Sequence, residues 1–408
     1  MKIRFLGGCR EVGRSAVLVD NVLLDYGMKP CDPPLYPLNG LHPSSIIISH
    51  AHLDHSGLVA NLMDLKLHAF MTPVTRDLSL LLAHDTLKIS RRQGIFPFTT
   101  EDIQLLMQRV QPVAYQDDFE VDGYSARLFD AGHIPGSASI CLDGKKQLLY
   151  TGDINTLNSR LLNGADLRCS DVDVLVIEST YFGRTHPDRK ELECKFIESI
   201  IQTLDNGGSA ILPCFAIGRT QEILMILAAH GLSPYVDGMG VDVQQIFERH
   251  PSYVRDIDKL RDAFDNAKVV EPKRRSFVLK EPSIIVTTAG MLNGGPVLYY
   301  LGKIHDDPRS KILLTGYQVE GTNGWNALER RYVEINGEMV PLNIQVEYYD
   351  FSAHADDTQL KKIVKECKNV ETVFPVHGDD AEGFAQWIRE NHGCDAVAPK
   401  NGDEILLD

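Results

Sequence analysis

Cysteine is scarce in this chain of 408 residues: eight are scattered at positions 9, 31, 141, 169, 194, 214, 367 and 394. No two form a C-x-x-C pair, which speaks against a thiolate-bound zinc. A disulfide framework is not expected in so long a chain without a secretion signal. The thiols read as small buried hydrophobes. Long apolar runs are also lacking. Ile46–Ile48 and Val174–Ile177 have strand length, far short of the roughly 18–20 residues of a membrane span. The opening Met1–Gly8 is too short and glycine-rich for a signal peptide. A cytoplasmic protein without a membrane partner is expected. Low-complexity tracts, heptads and fixed-period repeats are missing as well, which leaves no basis for a coiled coil or a repeat array. Finally, positive charge is in deficit. Lys and Arg number 41 against 56 Asp and Glu, a net charge of −15. Taken alone this argues against a polyanionic partner. Bound cations or a local basic groove would change the balance where it matters.

What is present is ordinary globular composition, 43% hydrophobic and 24% charged, in a length suited to roughly two to three domains. Short strands open the chain. Lys2–Leu6 alternates, and Ala16–Val19 and Val22–Leu24 flank a tight turn at Asp20-Asn21. Ser45–Ser49 reads as a buried strand running into His50, and Ser56–Leu65 as a helix. Gln147–Thr151 and Val172–Ile177 are strands ending at Gly152-Asp153 and Glu178. Beyond residue 183 the pattern becomes strand–helix alternation. Leu192, Phe196, Ile197, Ile200, Ile201 and Leu204 recur at helical spacing; Ser209–Leu212 is a strand and Thr220–His230 a helix. Ile284–Thr288, Lys311–Thr315 and Ile344–Tyr349 are further strands. Such alternation implies a parallel sheet flanked by helices. Residues with catalytic chemistry return only at His354 and His377. The chain thus reads as a first domain over 1–182, an inserted α/β domain over 183–351, and a return to the first over 352–408.

The sharpest local signal is His50-Ala51-His52-Leu53-Asp54-His55. Alternation along a strand turns His50 and His52 to one side, toward one metal. Asp54 and His55 follow where the chain turns into a helix, within reach of a neighbouring ion. Imidazole and carboxylate donors without thiolate suit zinc. One ion is closed by about four ligands, so further ligands imply a second. Taken singly, His133 reads as a loop histidine, Asp153 as a turn or cap, and Asp25 as a strand-end aspartate.

The order of these elements resembles the metallo-β-lactamase superfamily, and more narrowly its β-CASP nucleases, nearest to the cleavage-and-polyadenylation endonuclease subunit and its archaeal relatives. Arg10-Glu11-Val12-Gly13-Arg14-Ser15, Leu24-Asp25, the His-x-His-x-Asp-His segment, Gly132-His133 and Gly152-Asp153 carry the likeness. So do Ile177-Glu178-Ser179-Thr180-Tyr181, Ser352-Ala353-His354-Ala355-Asp356 and Pro375-Val376-His377-Gly378, similar to motifs A, B and C of that group. Phe215–Glu222 and Gly316–Thr322 resemble segments of its inserted domain. The likeness covers essentially the whole chain. It implies an αββα metallo-β-lactamase sandwich with an inserted α/β β-CASP domain.

The resemblance also implies two Zn²⁺ ions per chain. The first would take His50, His52, His133 and Asp153; the second Asp54, His55, His377 and the shared Asp153. Asp25 would orient ligands from behind. His354 would be the general acid for the leaving oxygen, Glu178 would hold its ring, and Asp54 would belong to the catalytic group as well as to the ligands. Arg219, at the start of a helix, is a candidate phosphate contact, with a structural ion pair an equal reading. The implied activity is zinc-dependent hydrolysis of single-stranded RNA, endonucleolytic, 5′–3′ exonucleolytic or both, in a homo-oligomer or an RNA-processing complex. Two alternatives stay open: a small-molecule hydrolase of the same superfamily, and a non-catalytic RNA-processing subunit. Within the 408 residues there is neither an N-terminal RNA-binding extension nor a long C-terminal domain of the kind some relatives carry. The expectation therefore concerns the chemistry rather than substrate selection or assembly.

Overall fold

The computed structural model describes residues 1–408 with the exception of Asp32, Leu41, Lys66 and Ser170. It divides into two compact units. One comprises Met1–Asn158, Asn163–Thr185 and Ala353–Asp408; the other comprises Ser159–Leu162 and His186–Ser352. Among the described residues no helix is long and apolar enough to cross a membrane.

The first unit is built on two seven-stranded sheets. In one, Lys2–Gly7 pairs antiparallel with Ala16–Val19, which turns through Asp20, in the left-handed region at φ 49°, into Val22–Leu24. Ser45–Ile47, His68–Met71 and Val110–Pro112 extend it in parallel, and Glu404–Leu406 closes the other edge. The second sheet runs from Asp118–Val121 through Tyr124–Asp130, Ala138–Asp143, Leu148–Tyr150, Val174–Glu178 and Thr372–Val376 to Asp395–Ala396. Every residue of Ala16–Val19, Val22–Leu24 and Ser45–Ile47 is buried. These strands are covered on both faces, so they read as continuous apolar runs rather than alternating ones.

The two faces of each sheet explain the layers. Ile3, Phe5, Val17, Val19 and Ile47 from one sheet meet Leu128, Ile140, Leu148 and Phe374 from the other in a shared core. The opposite face of the first sheet, with Leu18, Leu23, Ile46 and Ile48, packs on Leu87, Ile103 and Leu106. Those residues lie on the helices Pro73–Gln93 and Thr100–Arg109. The far face of the second sheet sets Leu149, Leu175 and Ile177 against Leu360, Ile363, Phe384 and Ile388, on the helices Asp357–Glu366 and Ala381–His392. Helix, sheet, sheet, helix is the αββα order expected from the motifs. The helix ends are marked in the sequence: Pro73 follows the Thr72 cap, and Thr99 with Asp102 forms a capping box.

The second unit carries a six-stranded parallel sheet. Across it the strands lie in the order Lys268–Val269, Tyr235–Asp237, Ile284–Thr287, Ala210–Pro213, Lys311–Leu314 and Gln345–Tyr348. Ile211, Ile285, Ile312 and Leu314 pack on Val297, Tyr300 and Leu301 of the helix Val297–Ile304. The connections run toward opposite edges on either side of Ala210–Pro213 and Lys311–Leu314, so a crevice is expected at the carboxyl ends of this pair.

Two local expectations are corrected. Ser56–Leu65 is not one helix: a short helix, Leu53–Ser56, is followed by a 3-10 turn, Val59–Leu65. Gly57 lies so close to Leu53 that a Cβ there would sit 2.4 Å from its carbonyl oxygen, and the chain changes pitch at this point. The cysteines are not all unpaired either. Cys141 and Cys169 form a disulfide, with Cα atoms 6.5 Å apart. The loop before Val174–Glu178 returns beside the strand Ala138–Asp143, a tertiary proximity that sequence spacing does not reveal.

Candidate metal centre

Strand ends in the first unit gather the donors. After Ser45–Ile47 the chain stays extended, with the Ile48 amide donating to the Phe70 carbonyl at 2.9 Å. His50 and His52 therefore share a side, and Asp54 and His55 sit on the first turn of Leu53–Ser56. His133 lies in the loop between Tyr124–Asp130 and Ala138–Asp143, Asp153 just past Leu148–Tyr150, and His377 just past Thr372–Val376. Gly152 before Asp153 has φ 55°, and a Cβ there would stand 2.8 Å from that of Ser49. Only glycine allows this approach without displacing the backbone.

Among the described residues the expected ligands fall in two groups of donor atoms, each within 4.8 Å: His50, His52, His133 and Asp153, and Asp54, His55 and His377; a third such group is Asp153, Glu178 and His354. In the first, Nδ1 of His52 lies 3.2 Å from Nε2 of His50 and 3.1 Å from Nε2 of His133. Oδ2 of Asp153 is 3.5 Å from Nε2 of His50 and 3.6 Å from Nε2 of His133. The other oxygen, Oδ1, serves the second group, at 3.2 Å from Nε2 of His55 and 3.7 Å from Nε2 of His377. Oδ2 of Asp54 is 3.6 Å from that same His377 nitrogen. Asp153 thus addresses each group through a different oxygen.

The hydrogen-bond partners of the rings show that this donor set fits metal ions. His133 Nδ1 faces the Ala353 carbonyl at 2.9 Å and must donate to it. Ser49 Oγ donates to Asp25 at 2.7 Å, so it accepts from His50 Nδ1 at 3.1 Å. Both rings therefore turn an unprotonated Nε2 inward, and the single Nδ1 of His52 cannot satisfy both. In the second group, Asp153 Oδ1 and His377 Nε2 are buried without a hydrogen-bond partner among the described residues. Inward lone pairs that outnumber the protons available to them are what a cation would satisfy.

Electrostatics point the same way. Burial, followed by the neighbouring histidines, holds His50 and His133 well below the ordinary histidine range. Burial lowers His52 to about 4 against the pull of Asp54 and Asp153. These rings are neutral, the form that ligates metal. Around Asp153, burial opposes the charge, but His55 and then His377 keep it well below the usual carboxylate range. His55 differs from the other rings: burial disfavours its charge, but Asp153 and Asp25 overcome this and raise it well above the ordinary value.

Behind the donors is a ring of side chains, of which the sequence singled out Asp25 and left Ser15, Ser49 and Tyr150 without a role. Asp25, fully buried, receives Ser49 N at 2.7 Å on Oδ1; Ser49 Oγ and His55 Nδ1 at 2.7 Å and Tyr150 OH at 2.8 Å converge on Oδ2. This fixes the orientation of the His55 ring and aims its Nε2 inward. Ser15 Oγ lies 2.8 Å from Nδ1 of His377. Its position at the end of the Arg10–Ser15 motif was the available signal. Tyr150, last residue of an apolar strand, offered none.

His354 and Glu178 meet beside the first group. Nδ1 of His354 is 3.1 and 3.0 Å from the two Glu178 oxygens, and its Nε2 is 3.9 Å from Oδ2 of Asp153. Burial works against charge on His354, but Glu178 and then Asp153 push it up to about 9. Glu178 Oε1 also accepts the Ile154 amide at 2.7 Å, which anchors it. Arg219 is not part of this gathering. It opens the helix Arg219–Ala229 of the second unit, at the carboxyl end of Ala210–Pro213. Its Nε is buried with no hydrogen-bond partner among the described residues. Burial and Arg189, against Glu222, lower it to about 10.

Comparison with known proteins agrees with this anatomy. A β-lactamase superfamily domain matches residues 17–206, a β-CASP domain 220–326, and a Zn-dependent metallo-hydrolase RNA specificity domain 339–399. A probable RNase, MJ4, of Methanocaldococcus jannaschii is 38% identical, with both chains covered over 100% of their length. RNase aCSPSF2 of Saccharolobus solfataricus is 34% identical over 99% of this chain and 85% of its own. Transcription termination factor FttA of Pyrococcus abyssi is 33% identical over 100% of this chain and 71% of its own. A crystal structure of a protein of unknown function from Enterococcus faecalis shares the fold, with TM-score 0.62 at 13% identity over 100% of this chain and 99% of that one. This chain belongs to the β-CASP family of metallo-β-lactamase-fold hydrolases.

Proposed function

We propose that this chain is a zinc-dependent ribonuclease that hydrolyses phosphodiester bonds of single-stranded RNA. Two ions would be held, one by His50, His52, His133 and Asp153, the other by Asp54, His55, His377 and the second oxygen of Asp153. When bound, such ions act as Lewis acids and lower the pKa of water from about 16 toward about 7. The relatives named as RNases support RNA as the substrate.

The observation that carries the reading is the placement of His354. Its Nε2 faces Asp153 at 3.9 Å while Glu178 holds its Nδ1 at 3.0 Å. A ribose oxygen leaving from phosphorus departs poorly as an alkoxide, so a proton donor beside the metal ligands is worth roughly 10²–10⁴-fold. His354 gives its Nε2 proton to that oxygen, and Glu178 steadies the ring and its charge. The products carry a 5′-phosphate and a 3′-hydroxyl. Hydrolysis of a small thioester, lactone or β-lactam would leave the Glu178–His354 pair without a task. In the second unit, the Arg219 guanidinium, its Nε without a hydrogen-bond partner among the described residues, is suited to a phosphate of the strand.

The test combines metal analysis with three substrates. Protein loaded with zinc is incubated with labelled linear RNA, circular RNA and a chromogenic ester, with and without chelator. Two zinc per chain and chelator-sensitive RNA cleavage are expected. Cut circles assign endonuclease action, and loss from linear RNA alone assigns exonuclease action. Ester turnover without RNA cleavage, or no stoichiometric metal in folded protein, would overturn the reading.

A further inference from the structure

An RNA substrate must approach a chain whose net charge is −15, so contacts with its backbone require a locally positive surface. The sequence contains one such run. Lys273–Lys280 holds four cations, Lys273, Arg274, Arg275 and Lys280, in eight residues without a carboxylate. No other stretch of that length does so.

In the second unit this run follows the edge strand Lys268–Val269 and forms the turns Pro272–Arg274 and Arg275–Val278. It is firmly held. Arg275 grips Asp237 through two bonds, Nε to Oδ2 at 2.7 Å and Nη2 to Oδ1 at 3.0 Å, and Tyr300 OH donates to the same Asp237 at 2.8 Å. Asp237 is the last residue of Tyr235–Asp237. That contact fixes the run at the carboxyl ends of the parallel strands, the edge where ligands meet sheets of this kind. Val278 is buried and serves as the apolar anchor.

With Arg275 committed to Asp237, the others face solvent. Lys273 has an exposed side chain and pairs only with the exposed Glu271, at 3.0 Å. Arg274 and Lys280 are exposed and make no ion pair among the described residues. Between them stands Phe277, 62% exposed, with Lys280 Nζ 5.0 Å from its ring centre. An apolar ring left in water with one cation over it and two more exposed in the same short run, on a backbone held by Arg275, is what single-stranded nucleic acid engages: phosphates on the cations, a base on the ring.

We infer that Lys273, Arg274, Phe277 and Lys280 form a single-strand RNA-binding surface on the second unit, separate from the residues that hold metal. The inference rests on the ribonuclease reading for its ligand, and its test can fail independently. Affinity for a fluorescent 30-nucleotide oligouridine is measured by anisotropy against salt, in full-length metal-loaded protein carrying His354→Ala, with RNA integrity checked on gels. The triple change K273Q/R274Q/K280Q is expected to weaken binding at least about tenfold and to reduce the salt slope by about 2, as three fewer phosphate contacts would. Phe277→Ala is expected to weaken binding about fivefold or more with the salt slope unchanged, since stacking releases no counterions. Both variants should keep the zinc content of the parent protein, since neither change touches a residue that would hold metal. Unchanged oligouridine affinity in the triple variant overturns the inference, even if the wild type cleaves RNA well. Polyglutamate displacing the RNA at equal concentration would also overturn it, in favour of an acidic polypeptide partner. Absence of RNA cleavage by wild-type protein would sink the ribonuclease reading and leave the binding measurement intact.

Discussion

Glu178 reaches Nδ1 of His354 with both carboxylate oxygens, at 3.0 and 3.1 Å, and so leaves Nε2 as the nitrogen turned toward Asp153. The pair is unequal in burial. Glu178 is 1% exposed in its side chain and His354 20%, so the carboxylate is a fixed charge behind a ring that still reaches substrate.

The first prediction follows from that charge. Burial disfavours the imidazolium, but Glu178, then Asp153, raise His354 to about 9, above the ordinary value of about 6.5. An acid must carry its proton, so the rate of RNA cleavage should hold through neutral pH and fall as pH rises through the raised value. Glu178→Gln removes the largest raising influence and should move that alkaline fall to lower pH, with zinc content unchanged. His354→Ala should cost roughly 10²–10⁴-fold in kcat at neutral pH. An identical alkaline limb in Glu178→Gln and wild type would remove His354 from the acid role.

The two donor groups should differ in how they respond to acid. His50, His52 and His133 are already neutral in the metal-free chain, with His52 at about 4. His55 instead keeps a proton, because Asp153 and Asp25 outweigh its burial, and a cation on its Nε2 must displace it. Binding at the second group should therefore release about one more proton than binding at the first. Its affinity should fall about tenfold per pH unit below the raised His55 value, while the first group stays nearly level down to pH of about 5. Calorimetric titration of zinc in two buffers of different ionisation enthalpy reads the protons directly. Equal proton release at both steps would contradict the assignment.

How much of this was legible depended on whether local sequence determines a side chain's neighbours. His50 to His55 follow a buried strand, and alternation alone sets His50 beside His52. Asp153, His133 and His377 are single residues after short strands, and only the order of the surrounding motifs singled them out. The strand–helix alternation of the second unit was legible because apolar runs and helical spacings change there. Tyr150 was not, since its hydroxyl meets Asp25 at 2.8 Å across the interior between residues 125 apart in sequence. The Cys141–Cys169 bond and the grip of Arg275 on Asp237 escaped for the same reason. Each joins segments whose approach is set by sheet order, which no local pattern encodes.

Gly27 offers a test of how the second donor group is held. The backbone of Tyr26, Gly27 and Met28 is zipped to the ligand segment: Tyr26 N donates to His55 O and Met28 N to Leu53 O, each at 2.8 Å. A Cβ on Gly27 would fall 1.8 Å from the Asp54 carbonyl oxygen and 2.0 Å from its carbon, both backbone atoms that cannot swing aside. Gly27→Ala should push Asp54 and His55 away from His377 and lower zinc content from two toward one per chain. Overpacking of this kind costs about 1–3 kcal/mol or more, which thermal unfolding of the metal-free protein should register. Full zinc content in a folded Gly27→Ala protein would show that Asp54 and His55 do not hold the second ion.

Tyr150→Phe isolates the hydrogen bond furthest from the chemistry. The ring is 3% exposed, and burial followed by Asp25 raises its hydroxyl well above the ordinary tyrosine range, so it is a donor at every working pH. Removing the hydroxyl keeps the ring's packing and takes one of the three donors from Asp25 Oδ2. Losing a hydrogen bond to a buried charge costs about 1.5–3 kcal/mol. Asp25 would then carry more negative charge to share with His55 Nδ1 and hold the His55 proton more tightly. Zinc affinity at the second group should fall about 10–100-fold, as changes behind metal ligands typically do, and recover as pH rises and the His55 proton is lost. The first group, whose rings are oriented by Ala353 and Ser49 instead, should bind as in the wild type. A Tyr150→Phe protein that loses both ions together, or neither, would place the hydroxyl outside the path that orients His55.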